Sequence, residues 1–234
     1  MFRTAFIQNG DTEGRSSLLS PVLWLFIPLA FLVAEAVLEL SLPQPVLAPM
    51  LSEGGPHESF QFLFAALACL FAFKTVFDLK APFLRGWMMI AALGCFYIAG
   101  EEISWGQWVF GWVTPEFWSG VNDQNETNLH NTSAWLDQKP RLLLFIGIIV
   151  GGLVVPAMRR WCPSRLPARY SDLYPSGIVV VTALGVTLPY LAQEIAESLK
   201  VHLFERVSEV QELYMYYFVF LYTLDFRKRL LRQL

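Results

Sequence analysis

Three pairs of glutamates have spacings that place both carboxylates of a pair on one face of a helix. The members of each pair are three or four residues apart: Glu35 and Glu39, Glu194 and Glu197, and Glu209 and Glu212. Two further glutamates, Glu101 and Glu102, are adjacent, and His130 follows them in the chain. Because carboxylates and imidazole transfer protons and also bind divalent cations, these residues are the candidates for chemistry.

The segment 100–131, which reads GEEISWGQWVFGWVTPEFWSGVNDQNETNLHN, adds further oxygen and nitrogen donors. Those in its second half are Asn122, Asp123, Asn125, Glu126, Asn128, His130 and Asn131. Carboxylates with an imidazole favour Zn²⁺, Mn²⁺ or Fe, whereas carboxylates alone favour Ca²⁺ or Mg²⁺. Asn and Asp are also common in turns, where they bond their own backbone. These donors predict a divalent metal ion. Its identity is not predicted, because no H-E-x-x-H or paired C-x-x-C motif occurs.

The composition limits the class of protein that can position these residues. The 234 residues include 55% hydrophobic and only 16% charged residues, against about 25% charged in an ordinary soluble domain. This hydrophobicity excludes a disordered chain, and three cysteines exclude a disulfide-stapled module. A net charge of −3 with no basic domain excludes a nucleic-acid binder. The remaining class is an integral membrane protein with little mass outside the bilayer.

Six stretches are long enough to cross a membrane, for which about 20 mostly apolar residues are needed. They are residues 21–42, 60–78, 86–103, 141–158, 176–197 and 206–226. The sixth must include the turn with Glu209 and Glu212, because its purely apolar part is too short. Gly151 and Gly152 in the fourth stretch predict close helix packing. The predicted fold class is all-α, a polytopic bundle of six transmembrane helices in a single domain, 1–234.

The distribution of basic residues predicts the orientation of this bundle. When the N-terminus is placed in the cytoplasm, 13 of the 17 Lys and Arg residues lie on the cytoplasmic side. Both termini are therefore predicted to be cytoplasmic. Of the 20 acidic residues, 15 lie on the outer side or in the outer half of a span. Near the cytoplasmic end of the second span, Lys74 and Asp78 have the spacing of an ion pair on one helix.

Residues 104–140 form the long outer loop, and its tryptophans predict an interfacial helix. Trp105, Trp108 and Trp112 have the spacing of one helical face. Tryptophan is typical of the membrane interface, where its ring is buried and its N–H group stays hydrated. Such a helix either seats the loop on the bilayer or forms a lid or wall of a lipid-accessible site.

The glutamate pairs and the outer loop are predicted to meet at one level of the membrane. Glu35 lies roughly 10 Å inside the outer end of the first span, at 1.5 Å per residue. Ionised carboxylates at such depth are costly unless they are paired, hydrated or bound to a cation. All three histidines, including His57 and His202, also lie on the outer side. The alternative is that glutamates at helix ends are simply solvated.

These observations predict a polar site at the outer interface. Its predicted metal ligands are Glu101, Glu102, His130, Glu209 and Glu212. The predicted catalytic residues are Glu102, His130 and Glu209. Further polar residues of the site are Glu35, Glu39, Gln107, Asn128, Glu194 and Glu197.

Three short motifs in the outer segment resemble a signature of bacterial multi-span membrane proteins whose function is uncharacterised. They are GEEISWGQ at 100–107, TPE at 114–116 and ETNLHN at 126–131. The resemblance covers about 30 residues, and it implies a multi-pass protein of the bacterial inner membrane. It directs attention to the motif residues Glu101, Glu102, Trp105, Gln107, Asn128 and His130, and it implies no activity.

The leading functional hypothesis is a metal-dependent hydrolase or transferase acting on a lipid or lipid-linked substrate. A metal ion would activate water or a hydroxyl group, and a carboxylate would act as the base. A cation- or proton-coupled transporter that uses Glu35 and Glu39 is one alternative. A non-catalytic subunit of a membrane complex, with the outer loop as its docking surface, is another. The expected partners are membrane lipids, with a homo-oligomer or a membrane-complex partner also open.

Overall fold

The computed structural model describes residues 19–51, 54–122, 124–201 and 203–232. All regular elements in these ranges are helices, which confirms the all-α prediction. Asp123, His202 and both chain ends lie outside the described residues, so the predicted location of the termini remains a prediction.

The described helices form ten α-helical elements. They are α1 (Ile27–Ser41), α2 (Gln44–Met50), α3 (Pro56–Asp78), α4 (Pro82–Glu102), α5 (Gln107–Phe110), α6 (Glu116–Ser119), α7 (Ala134–Ile148), α8 (Val155–Trp161), α9 (Val180–Ser198) and α10 (Val207–Leu231). A π-helical segment, Val22–Phe26, leads into α1, and a second one, Ile149–Val154, joins α7 to α8.

Five helical stretches within the described residues are long and apolar enough to cross a membrane. They are Val22–Ser41, Pro56–Asp78, Pro82–Glu102, Gln138–Trp161 and Gly177–Ser198. These stretches coincide with the first five predicted spans and identify a multi-pass membrane protein. Proline at the first position of α3 and of α4 is typical of a helix start, where its missing N–H group is not needed.

The helix α10 is long enough to be the sixth span but is not among the sufficiently apolar ones. It lies inside the bundle, packed against α3 and α9, and more than half of its residues are buried. The hydroxyls of Tyr214 and Tyr217 donate to backbone carbonyls of Pro28 and Leu23, at 2.5 and 2.6 Å. Because protein surrounds α10, its polar groups find partners there, and low hydropathy does not prevent burial. Its status as a sixth span remains a prediction.

Charged residues differ between the two ends of the bundle. The end at which α4 stops and α10 begins carries Glu101, Glu102, Glu209 and Glu212. We call this the acidic end. At the other end, where α3 and α10 stop, Arg227 forms an ion pair with Asp78. Asp78 therefore has a partner on another helix, in place of the predicted local pair with Lys74.

The outer loop does not form the predicted tryptophan-bearing helix. Ser104, Trp105 and Gly106 have φ values of 47°, 54° and 107°. Because these values are left-handed, the right-handed helix cannot continue past the end of α4. The following helix, α5, has only four residues and ends at Gly111, whose φ is 67°. The three tryptophans therefore do not share one helical face, because an uninterrupted right-handed helix is required for that periodicity.

Each tryptophan instead has its own contact. Trp105 covers Gly100, where an added Cβ atom would lie 2.9 Å from the indole. Trp108 covers Gly54 at the same distance, so the loop before α3 packs on it. Trp112 stacks on Phe110 with ring centroids 5.9 Å apart. All three keep about two-fifths or more of their surface exposed. The tryptophans are thus still exposed as predicted for an aromatic surface, but a folded loop carries them in place of a helix.

Candidate functional site

A polar cavity of about 260 Å³ opens at the acidic end, between α3, α4, α10 and the outer loop. Six of the side chains that line it are glutamates: Glu58, Glu101, Glu102, Glu126, Glu209 and Glu212. Three more are basic: His130, Arg141 and Arg206. Amides complete most of the wall: Gln61, Gln124, Asn128 and Asn131. Carboxylates thus outnumber the permanent positive charges of the lining by three to one.

The structure brings together all five predicted metal ligands around this cavity, and Asn128 with them. The other predicted polar residues lie elsewhere. Gln107 is inside the folded outer loop. Glu35 lies near the middle of α1. Glu39 accepts a hydrogen bond from the backbone N–H group of Glu205 at 2.8 Å. On α9, Glu194 is exposed and Glu197 accepts from Gln193 at 2.6 Å.

The carboxylate of Glu101 holds His130 in place. One oxygen accepts from the Trp105 indole at 2.6 Å. The other accepts from the backbone N–H groups of Leu129 and His130, at 2.7 and 2.8 Å, and lies 3.2 Å from His130 Nδ1. Glu101 is buried, while the His130 side chain is about one-third exposed to the cavity side. This arrangement favours a positioning role for Glu101, since both its oxygens are occupied by protein donors.

The left-handed turn at Ser104 is fixed by the motif residues that follow in the outer loop. Thr127 Oγ1 donates to the Ser104 carbonyl at 2.6 Å, and the Thr127 N–H group donates to Gln107 Oε1 at 2.8 Å. Non-glycine residues with positive φ are costly, and they persist where the surroundings over-determine them. Gln107 therefore positions the loop and does not reach the cavity.

A second set of hydrogen bonds attaches the 122–131 segment to the same turn. Ser104 Oγ donates to Glu126 Oε2 at 2.9 Å, and the Asn128 amide donates to the same oxygen at 2.5 Å. Asn122 in turn donates to Asn128 Oδ1 at 2.7 Å. Most of these asparagines thus act as loop-forming residues, which was the alternative to a ligand role. Glu126 differs from them because its second oxygen, Oε1, is buried without a partner in the described chain.

Two arginines neutralise the two glutamates at the start of α10. Arg141 lies 2.6 Å from Glu212, and Arg206 lies 3.1 Å from Glu209. Gln61 on α3 donates to the Glu209 side chain at 3.3 Å and to its backbone carbonyl at 3.2 Å. These contacts tie α3, α7 and α10 together at the acidic end, in the cavity wall.

Tyr216 connects the remaining glutamate of α4 to α10. Its hydroxyl donates to Glu212 Oε2 at 3.3 Å, and Glu102 is near enough to interact with it electrostatically. Glu102 and Glu212 are close enough to repel each other electrostatically. A shared proton, a bound cation or water would relieve that repulsion.

A smaller and more apolar pocket of about 70 Å³ adjoins the polar cavity. The two share Glu101, Glu102, His130, Arg141 and Glu212 in their walls. Apolar residues of α4, α7 and α10 form the rest of the smaller pocket: Ile98, Leu136, Leu144 and Met215 among them. The combined space is therefore polar at one end and apolar at the other, with His130 at the junction.

A second carboxylate–imidazole pair lies away from the cavity. Glu35 on α1 and His57 on α3 form a short, buried hydrogen bond between Oε1 and Nε2. The other Glu35 oxygen has no partner among the described residues. The sequence predicts both residues on the outer side but does not predict that they pair, because nothing local links residues 22 positions apart on different helices.

Four residues of the cavity wall are absent from the set of site residues predicted from the sequence. Gln61 carries a detectable signal, since it is a polar residue in the otherwise apolar 60–73 stretch of α3. Arg141 and Arg206 begin two of the predicted spans. Arg141 meets Glu212 only because α7 packs against α10, whereas Arg206 pairs with Glu209 three residues further along the chain. Glu58 is held by the Gly54 N–H group at 2.7 Å, a contact that only the folded loop creates.

No group of three or more His, Cys, Asp or Glu side chains in the described part of the chain is arranged to hold a metal ion. The metal ion thus remains a prediction. Comparisons with protein-family models, curated proteins and solved structures give no match.

Proposed function

We propose that this protein is a membrane-embedded hydrolase or transferase that acts on a lipid or lipid-linked substrate at the outer face of the bacterial inner membrane. The observation that supports it is the junction of the two pockets at His130. An amphiphile has its reactive bonds between a polar head and an apolar tail. The polar cavity suits the head, the pocket beside Leu144 suits the start of the tail, and the bond between them would lie next to the imidazole.

His130 would act as the general base. With the Nδ1 proton directed at Glu101, Nε2 is the nitrogen that accepts a proton from an attacking water or hydroxyl group. The oxygen of that nucleophile then bonds to the carbonyl or phosphoryl centre, and the bond to the leaving oxygen breaks. The proton passes from His130 to the leaving oxygen. Glu101 would stabilise the imidazolium formed in between, as a carboxylate does in other carboxylate–imidazole pairs.

Glu102 and Glu209 would contribute to the charge of the site. A divalent metal ion belongs to this proposal as the group that lowers the pKa of the nucleophilic water and neutralises negative charge in the transition state. The carboxylates of the cavity lining would balance the charge of the ion and order the water around it.

The proposal is tested by blocking the apolar pocket and by removing the base. In Leu144→Trp the indole would fill the pocket, whereas Leu143→Trp changes a neighbouring residue that is 74% exposed on the same helix. Lipids retained by the detergent-purified protein are identified by mass spectrometry. Loss of a specific lipid in Leu144→Trp alone supports the site. Equal retention in both variants would contradict it.

The reaction itself is tested with that retained lipid class in mixed vesicles. His130→Asn is expected to slow product formation about 100-fold or more, the usual contribution of a general base. Glu194→Gln, an exposed glutamate of α9, serves as the control and should react like the unchanged protein. A His130→Asn protein with full activity would rule out the proposed base.

The buried pair of Glu35 and His57 favours a second candidate, a proton-coupled transporter. A carboxylate and an imidazole in contact inside a bundle can exchange a proton, and such residues in membranes commonly mark proton relays. This candidate expects proton-driven uptake in proteoliposomes that is lost in Glu35→Gln. Unchanged lipid chemistry in Glu35→Gln would separate the two functions.

A further inference from the structure

Two buried oxygen atoms in the cavity wall have no hydrogen-bond partner among the described residues. They are Gln61 Oε1 and Glu126 Oε1. Gln61 is 0% exposed and Glu126 is 5% exposed, and both residues line the polar cavity. Because buried acceptors are nearly always paired with protein, water or an ion, each of these oxygens marks a position where a water molecule or an ion is expected.

The remaining polar atoms of both side chains are held by protein groups. Gln61 Nε2 donates to Glu209, so the amide carbonyl points the other way, and the reversed amide would set an oxygen against Glu209 oxygens. Glu126 Oε2 accepts from Ser104 and Asn128. The two unpartnered oxygens are therefore held in fixed directions by the fold, as the ligands of a built site are.

The charge around these oxygens identifies the kind of ligand. The lining contains six glutamates, and its two arginines already pair with Glu209 and Glu212. Glu58, another glutamate of the lining, is near enough to interact electrostatically with both Glu126 and Glu209. Acceptor oxygens surrounded by carboxylates attract a cation and repel an anion. Carboxylate and amide oxygens are the ligands of hard divalent ions such as Mg²⁺, Ca²⁺ and Mn²⁺.

We propose that the cavity binds one hard divalent cation, with Glu126 Oε1 and Gln61 Oε1 holding it directly or through its coordinated water molecules. An ion of the Mg²⁺ type usually keeps several waters and takes only one or two carboxylates from the protein. Such a site needs no cluster of three acidic or imidazole ligands. This ligand pair replaces the predicted set, in which Glu101 is already occupied by protein donors.

The proposal rests on the cavity of the proposed function, and it identifies the cation that would activate the nucleophile beside His130. It does not depend on the reaction, because binding is measured without any substrate. Mn²⁺ binding with no lipid turnover would leave the cation site standing and contradict the enzyme. Lipid turnover with no Mn²⁺ binding would support the enzyme and contradict the cation site.

The test uses the full chain, purified in detergent and freed of metal with a chelator that is then removed. Mn²⁺ alone is the probe, and free Mn²⁺ is measured by electron paramagnetic resonance. We expect about one Mn²⁺ per chain, displaced by Mg²⁺ or Ca²⁺. Glu126→Gln should weaken binding about tenfold or more, since even outer-shell changes weaken metal sites by about 10- to 100-fold.

Two further variants keep the test decisive. Gln61→Met removes the amide oxygen at nearly constant volume and should also weaken Mn²⁺ binding. Glu197→Gln removes an exposed carboxylate on α9 that does not line the cavity, and it should leave binding unchanged. Thermal unfolding without metal checks that each variant is folded. The proposal would be overturned if the protein without substitutions binds no Mn²⁺. It would also be overturned if folded Glu126→Gln and Gln61→Met bind Mn²⁺ as tightly as the protein without substitutions.

Discussion

At the residue scale, Glu101 shows how one carboxylate organises the site. It accepts hydrogen bonds from the Trp105 indole and from the Leu129 and His130 backbone, and it also faces the His130 ring. Hydrogen bonds to a buried charge are stronger than those between neutral groups. The carboxylate therefore joins the end of α4 to the segment that carries the proposed base, across 29 positions of sequence.

Glu101→Ala is expected to lower the free energy of unfolding by about 3 kcal/mol or more, because several buried donors lose their acceptor at about 1–3 kcal/mol each. The measurement is equilibrium unfolding in mixed micelles of a mild detergent and dodecyl sulfate. Glu116→Ala, at an exposed glutamate of the same loop, should change stability little. Equal effects of the two substitutions would contradict the assigned role of Glu101.

At the scale of elements, α10 is the helix on which α3 and α9 pack. Its Tyr214 lies against Gly185 of α9, where an added Cβ atom would come within 2.1 Å of the ring. Its Phe218 faces Gly152 of the π-helical segment, where a Cβ atom would also come within 2.5 Å of Ala183. The close packing expected at the Gly151–Gly152 pair thus occurs at Gly152, and it allows a protein-buried helix to cross the bundle.

Gly185→Ala and Gly152→Ala are expected to destabilise the bundle by about 1–3 kcal/mol each, the usual cost of overpacking. Gly147→Ala is the matched control, because nothing lies within 4 Å of a Cβ atom added there. In the control, replacing a helical glycine should stabilise by about 0.5–1 kcal/mol. The packing is supported if the free energy of unfolding falls in Gly185→Ala and Gly152→Ala but rises in Gly147→Ala. A change of the same sign in all three variants would contradict it.

At the scale of the whole molecule, charge separates the two ends of the bundle. The cavity carboxylates gather at one end, and Arg159, Arg227 and Arg229 lie toward the other. The positive-inside rule therefore predicts that the cavity faces away from the cytoplasm. That orientation would give the cavity access to the outer leaflet.

Cysteine labelling tests this orientation in spheroplasts. Cys162, at the end of α8, should resist a membrane-impermeant maleimide until the membrane is permeabilised. Ser119→Cys combined with Cys162→Ser should be labelled at once, because Ser119 is exposed in the outer loop. The reverse pattern would invert the proposed topology and place the cavity at the cytoplasmic face.

The sequence by itself determined the helical class, the first five spans and the level at which the polar residues gather. These features depend on the length and composition of continuous stretches, which are local properties. The positions of Glu101, Glu102, His130, Glu209 and Glu212 were readable for the same reason: each lies at a span end or in the loop beside one. In the structure they line one cavity, and their roles as ligands and catalytic groups remain predictions.

Only the tertiary structure decided which partner each of these groups has. Asp78 pairs with Arg227, 149 residues away, and not with Lys74 one turn earlier. The tryptophan spacing indicated a helix, but three left-handed residues after Ile103 broke it, held by contacts with the 122–131 segment. Hydrogen bonds and ion pairs between distant segments depend on how the helices pack, and that packing is a property of the whole chain.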